Sequence, residues 1–409
     1  MGYALAGATL IDGTGRDSLK GHALTVEGES IARVGPDARR GGGEVIDLSG
    51  LTLLPGLIDA HTHLGYAFPF VHFRDVGVMP VAEMAALIFE NCGLALDAGF
   101  TTVREMSGVD GGMVQTVAAG LVRGPRIYPS GPALSTTGGH GSFEAPFCNH
   151  DRYLEVPGLV QKVIVCDSPD EVRHAVRTAF RRGATQIKIF ASGGVVALHG
   201  SLNDAHFTVA ELRAAVEEAE ARDSYVTAHC HNVRSMRNCI EAGLKCIEHG
   251  TYLDEETARA MVAAGVALVP TLAIVNLMQG SYEQLGVPAS VVPRLADVED
   301  AMSRSIVLAR ATGVTIGSGS DLLGSRQNRR GLELTLKARI LGAMEAIVSA
   351  TATNARIMRI ADRAGTLEEG KWADAIAVDG DPLAEPELFD DPARVVFVMK
   401  AGVVVKDTR

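Results

Sequence analysis

Short, almost wholly apolar runs recur through the middle of the chain, at residues 53–60, 101–105, 126–130, 186–191, 225–228, 246–248, 267–271 and 314–317. Runs without polar alternation are the pattern of parallel strands buried on both faces. Between them lie segments whose apolar positions follow helical spacing, at 81–98, 169–182, 209–222, 254–264 and 296–312. Eight such strand–helix units predict an α/β fold, a (β/α)8 TIM barrel. The rival is an open doubly wound sheet, which is weakened because no glycine-rich phosphate fingerprint follows the first run.

The two ends of the chain read differently. Runs at 4–10, 22–26 and 30–34 are separated by Gly-Thr-Gly and Glu-Gly-Glu turns, and runs at 375–379 and 395–399 sit beside Gly-Asp-Pro and Ala-Gly turns. Neither end alone can bury much surface. We therefore expect a small β-sandwich domain formed by both termini, 1–55 with 356–409, beside a barrel domain spanning 56–355.

Composition narrows the class. Of 409 residues, 47% are hydrophobic and 21% charged, which suits a globular protein with a large core. The net charge of −11, without a long basic run, argues against nucleic acid as a partner. The longest apolar stretch, 260–278, is broken by Gly265, Pro270 and Asn276, and reads as a helix end followed by a buried strand, with no membrane span. The first residues show no signal-peptide pattern. Cys92, Cys148, Cys166, Cys230, Cys239 and Cys246 form no CxxC pair and read as reduced core thiols. A cytoplasmic, homo-oligomeric protein is the expectation.

Polar residues stand where the apolar runs end, and in a barrel those ends form one rim. His61 and His63 close the first run, and alternate residues of a strand point the same way, so both imidazoles can reach one metal. His229 closes the fifth run, His249 the sixth and Asp321 the eighth. Singly, each histidine could be a core residue, and Asp321 could be a helix N-cap. Lys188 lies inside the fourth run, where an ammonium is costly. It could snorkel to solvent or form an ion pair. Alternatively, burial frees the neutral amine to capture CO2 as a carbamate, whose two oxygens suit two metals. The order of the five strand ends favours the carbamate.

Residues 54–64, Leu-Pro-Gly-Leu-Ile-Asp-Ala-His-Thr-His-Leu, followed by Lys188, His229, His249 and Asp321, strongly resemble the amidohydrolase superfamily. The resemblance extends to the returning segment 370–379, Gly-Lys-Trp-Ala-Asp-Ala-Ile-Ala-Val-Asp. Segments 187–194, 137–141 and 247–250 resemble its imidazolonepropionase-related branch, which includes prolidase-like (Xaa-Pro dipeptidase-like) enzymes. The resemblance implies two divalent ions, with zinc as the default. His61, His63 and Asp321 would hold the more buried one and His229 and His249 the more exposed one. Carboxylated Lys188 and a hydroxide would bridge them. Asp321 would shuttle the proton to the leaving nitrogen, and His140 would be a second oxyanion donor. Dipeptidase relatives often carry a tyrosine where this chain has His231, which bears on the substrate.

The expected partner is a small-molecule amide: a dipeptide, an N-acyl amino acid or a related carboxamide. A cyclic-amide or lactam hydrolase is the alternative. Lys188 argues against a deaminase, and the full ligand set argues against a non-catalytic scaffold. Segment 65–74 is rich in aromatics and could wall the substrate with Tyr66, or pack on the barrel or another subunit. Arg74, Arg326 and Arg329 are each candidates for a substrate carboxylate.

Overall fold

A computed structural model describes residues 2–36, 43–67, 79–141, 155–196, 201–281, 283 and 289–409. Residues 68–74 of the aromatic segment, Cys148 and the side chain of Arg326 lie outside the described residues.

The fold is α/β. Its apolar runs become parallel strands: β1 (Leu57–Thr62), β2 (Phe100–Glu105), β3 (Arg126–Pro129), β4 (Ile187–Phe190), β5 (Val226–Cys230), β6 (Cys246–His249) and β7 (Ala267–Val269). β1, β2 and β3 form one sheet, and β4 to β7 lie in order in a second. Backbone hydrogen bonds link the edges of these sheets. Thr185 donates to Pro129 at 2.7 Å, Gly317 to Leu268 at 2.8 Å, Ala60 to Ser318 at 2.9 Å and Asp321 to His61 at 2.8 Å. Helices cross between strands, and their starts carry the expected caps. Ser168 accepts from the Glu171 amide before the helix Pro169–Arg181, and Thr208 with Glu211 makes a capping box before Val209–Glu220.

Three readings change. The run at 53–60 is two strands rather than one. Thr52–Pro55 pairs antiparallel with Ala375–Val378, and β1 starts at Leu57. The break follows from chemistry: Pro55 has no amide to donate, and a Cβ on Gly56 would stand 2.2 Å from Thr101 Oγ1. Second, the 260–278 stretch holds the end of helix Glu255–Ala264, β7, and the start of a further helix, Leu272–Ser281. Third, an unforeseen strand, Ala133–Ser135, follows β3 and pairs with both Val163–Val165 and β4.

The terminal segments form two further sheets. In one the order is Ser30–Gly35, Ala23–Glu27, Gly2–Ala6, Glu44–Asp47. In the other it is Thr9–Leu10, Thr52–Pro55, Ala375–Val378, Val395–Lys400, Val403–Asp407. Leu5, Leu24, Val26, Leu53, Ala375, Phe397 and Met399 join them in one buried apolar cluster. Among the described residues, no helix is long and apolar enough to cross a membrane.

Candidate metal centre

The register brings the polar strand ends together. Phe190 of β4 pairs with His229 of β5, and Cys230 of β5 pairs with His249 of β6, so His229 and His249 arrive on adjacent strands. His61 and Asp321 meet where Ala60 and His61 bond the segment after the eighth run. Asp321 Oδ1 lies 3.0 Å from His63 Nε2 and 3.4 Å from His61 Nε2, and Oδ2 lies 3.9 Å from His249 Nδ1. Two sets of donor atoms lie within 4.8 Å of one another: His61, His249 and Asp321, and His229, His231 and His249. His249 and Asp321 both sit in the left-handed backbone region, at φ 69° and 54°. Side chains other than glycine adopt it at a cost, and such strain concentrates at functional sites.

A lower polar layer aims these groups. Glu248 Oε2 is 2.7 Å from His61 Nδ1, and its Oε1 is 2.7 Å from Arg104 Nη2; Thr227 Oγ1 also donates to Oε1. Burial opposes ionisation of Glu248, but Arg104 and His61 outweigh it and hold the carboxyl well below its ordinary range. An ionised carboxylate only accepts, so the His61 Nδ1–H donates to Glu248, which fixes the ring with Nε2 facing Asp321. Asp59 accepts from the His61 amide at 3.1 Å, from Ser320 Oγ at 2.6 Å and from Arg330 Nη1 at 2.9 Å, which ties β1 to the Asp321 loop. Hydroxyls fix two more rings: Thr271 Oγ1 is 2.7 Å from His249 Nδ1, and Thr251 Oγ1 is 2.7 Å from His231 Nδ1.

Burial is the main electrostatic fact. It lowers the pKa of His63 and of His231 to about 4, and takes His140, His229 and His249 well below the usual 6.5. The imidazoles are therefore neutral at neutral pH, the form that binds divalent metals. Burial also lowers the Lys188 ammonium to about 8, against the pull of Glu248 and Asp321. Its Nζ is wholly buried and has no hydrogen-bond partner among the described residues. Asp321 stays ionised because His61 and His63 outweigh its burial. Neutral imidazoles, one carboxylate and a buried amine within electrostatic range of one another make a donor set that fits divalent metal ions.

The other expected residues line the same space. His140 stacks on His229 with ring centres 4.5 Å apart, and its Nδ1 has no partner among the described residues. It is seated over Gly194, where a Cβ would come within 2.3 Å of the ring. His231 stacks on His249 at 5.0 Å, and the buried Tyr66 ring meets His63 at 5.3 Å. Arg329 forms a two-pronged ion pair with Asp390.

Sequence reasoning passed over Glu248, Arg104, Asp59, Arg330 and Glu105. All are buried, and each sits within or beside an apolar strand or segment. Glu248 and Arg104 each carried the same signal as Lys188, a charge inside a buried strand. Glu105, at the end of β2, is pushed up by burial to about 8, and its Oε1 has no partner among the described residues.

Comparison with known proteins identifies relatives of the whole chain. The model of the amidohydrolase family matches residues 52–405. An Aspergillus niger protein named ochratoxinase is 32% identical over 411 residues, covering 97% of this chain and 85% of that protein. A solved structure described as a prolidase complexed with N-methylphosphonate-L-proline superposes with a TM-score of 0.91 at 34% identity, covering 100% of both chains. A Deinococcus radiodurans imidazolonepropionase is 26% identical over 367 residues, covering 88% of this chain and 85% of that protein. These likenesses imply a TIM-barrel α/β architecture.

Proposed function

The chain belongs to the amidohydrolase family and is a hydrolase acting on carbon–nitrogen bonds, and from that premise we propose that it cleaves the amide bond of a dipeptide or an N-acyl amino acid with two divalent metals. His61, His63 and Asp321 would hold one ion, His229 and His249 the other, with Lys188, carboxylated by CO2, between them. Bound there, the ions would supply Lewis acidity and lower the pKa of water at the site.

The chain's own groups do the rest. Asp321, ionised and 3.0 Å from His63, takes a proton from the attacking water and passes it to the leaving nitrogen. His140, neutral and with a ring nitrogen unengaged, donates a hydrogen bond to the carbonyl oxygen as negative charge develops there. Glu248, through His61, and Thr271, through His249, keep the ligand rings aimed. We take the parallel strands to form a closed (β/α)8 barrel (56–355), with the two terminal sheets as a composite β-sandwich (1–55 with 356–409). The five described cysteines are buried and free, which supports a reducing, cytoplasmic setting, and the imidazole-rich donor set supports zinc at the site.

The observation that carries this reading is the Lys188 amine: buried, without a hydrogen-bond partner among the described residues, and in electrostatic range of His63, His229, His249 and Asp321. Burial brings its pKa down to about 8, so far more of the amine is neutral and open to CO2 than in an exposed lysine, and a carbamate would use the same position. A panel of dipeptides and N-acyl amino acids, assayed for released amines with zinc and bicarbonate present, tests the reading. Release of ammonia from amino-heterocycles would point to deamination. The imidazolonepropionase likeness favours cyclic amides as the second class to assay.

A further inference from the structure

A cation that sequence reasoning did not single out stands beside the pocket. Lys162 lies between the strands Val160–Gln161 and Val163–Val165. Its backbone is fixed, since its carbonyl accepts from Ser107 Oγ at 2.7 Å and from the Ala133 amide at 2.8 Å. The side chain extends to Tyr66, with the amine 5.0 Å from the ring centre. The same ring meets His63 on the metal side, at 5.3 Å. The stem passes Gly141, where a Cβ would stand 3.6 Å from Lys162 Cε, one residue beyond His140. Lys162 is in electrostatic range of both His140 and Asp321. It thus stands among the two groups that handle the scissile carbonyl and the leaving nitrogen, and the aromatic ring beside them.

Three arginines near the site hold carboxylates of the chain itself. Arg104 holds Glu248, and Arg330 holds Asp59, both beneath the ligand layer. Arg329 holds Asp390. Burial brings the Lys162 pKa down to about 7, with Asp321 opposing. An anion arriving beside it restores the charged form and gains a charge-assisted hydrogen bond.

We propose that Lys162 binds the carboxylate of the leaving amino acid, so that the enzyme selects amides carrying a carboxylate one carbon from the scissile nitrogen. This rests on the hydrolase reading above and names the residue that recognises its substrate class. Carboxylate binding at that point fixes the scissile bond between His140 and Asp321, so the benefit falls mainly on KM.

The test compares zinc-loaded wild type, Lys162→Met and Lys162→Arg on N-acetyl-L-amino acids and on matching N-acetyl amines in which hydrogen replaces the carboxylate. Wild type should prefer the acids by about 30-fold in kcat/KM, the scale of one charge-assisted hydrogen bond. Lys162→Met should erase that ratio through KM, and Lys162→Arg should retain most of it. An unchanged ratio in Lys162→Met, or no preference in wild type, overturns the proposal. If wild type cleaves neither series, calorimetric titration with the same acids separates the two ideas. Binding that Lys162→Met abolishes upholds the carboxylate site while the hydrolase reading falls; binding that ignores the substitution, or no binding, overturns the site.

Discussion

In the terminal sheets, Leu5, Leu24, Phe397 and Met399 bury one another, and mostly antiparallel ladders satisfy the backbone. At the ends of the parallel strands the burial is as deep, but the buried groups are His61, His229, His249 and Lys188. There the polar atoms His63 Nδ1, His140 Nδ1, Glu105 Oε1 and Lys188 Nζ have no hydrogen-bond partner among the described residues, and His249 and Asp321 hold strained backbones. The sheets gain stability from burial, about 25 cal/mol per Å² of apolar surface. The mouth gives up stability to hold groups apart in the form a metal requires, and the Glu248–Arg104 and Asp59–Arg330 pairs beneath it supply the rigidity.

Substitutions in the two regions should therefore separate turnover from stability. Lys188→Ala is expected to have the largest effect: metal content and turnover fall together, turnover by roughly 10³-fold or more, with partial rescue by added short carboxylic acids. Metal analysis and rates on one preparation check this, and full activity would refute the lysine bridge. Asp321→Asn should lower turnover by about 10²- to 10⁴-fold with the fold largely kept; activity within a few-fold of wild type removes the proton-shuttle role. Glu248→Gln should weaken metal binding by about 10- to 100-fold. It also leaves Arg104 buried without its anion, at a cost on the order of 3–5 kcal/mol. Chelator competition and urea unfolding measure the two effects, and wild-type affinity would break the link between the layers.

Phe397→Ala is the converse. It should cost about 3–5 kcal/mol of unfolding free energy while turnover per folded molecule stays at the wild-type level. Lost turnover in fully folded protein would show that the regions are not separable. The smallest effect concerns pH. Folded His63 and His231 titrate at about 4 rather than 6.5, so between those values the unfolded chain binds more protons. Metal-free protein should then lose stability as pH falls from about 6.5 towards 4, by roughly a few kcal/mol. A melting temperature that is flat across this window contradicts the buried neutral imidazoles.

The contrast also explains what was legible in the sequence. Strand runs and helix spacing were readable because buried parallel strands tolerate few polar residues, so His61, Lys188, His229 and His249 stood out against apolar neighbours. Glu248 was missed because His249, one residue on, drew the attention, although an acid in a buried strand is as anomalous as a lysine. Its partner Arg104 lies far away in the chain, and only the register joins them. The division at Pro55 was hidden because two consecutive apolar strands read as one until their partners are known. Lys162 gave no signal: it sits beside short strands, and its value comes from Tyr66 and His140, distant in sequence.

The most direct test of the central claim is a crystal structure of protein grown with zinc and bicarbonate, with diffraction recorded at the zinc absorption edge. The account predicts two anomalous peaks, one beside His61, His63 and Asp321 and one beside His229 and His249, with density for a carboxylate continuing from Lys188 Nζ between them. A bare Lys188 amine paired with an acid such as Glu105, and no peak at His229 and His249, would contradict it.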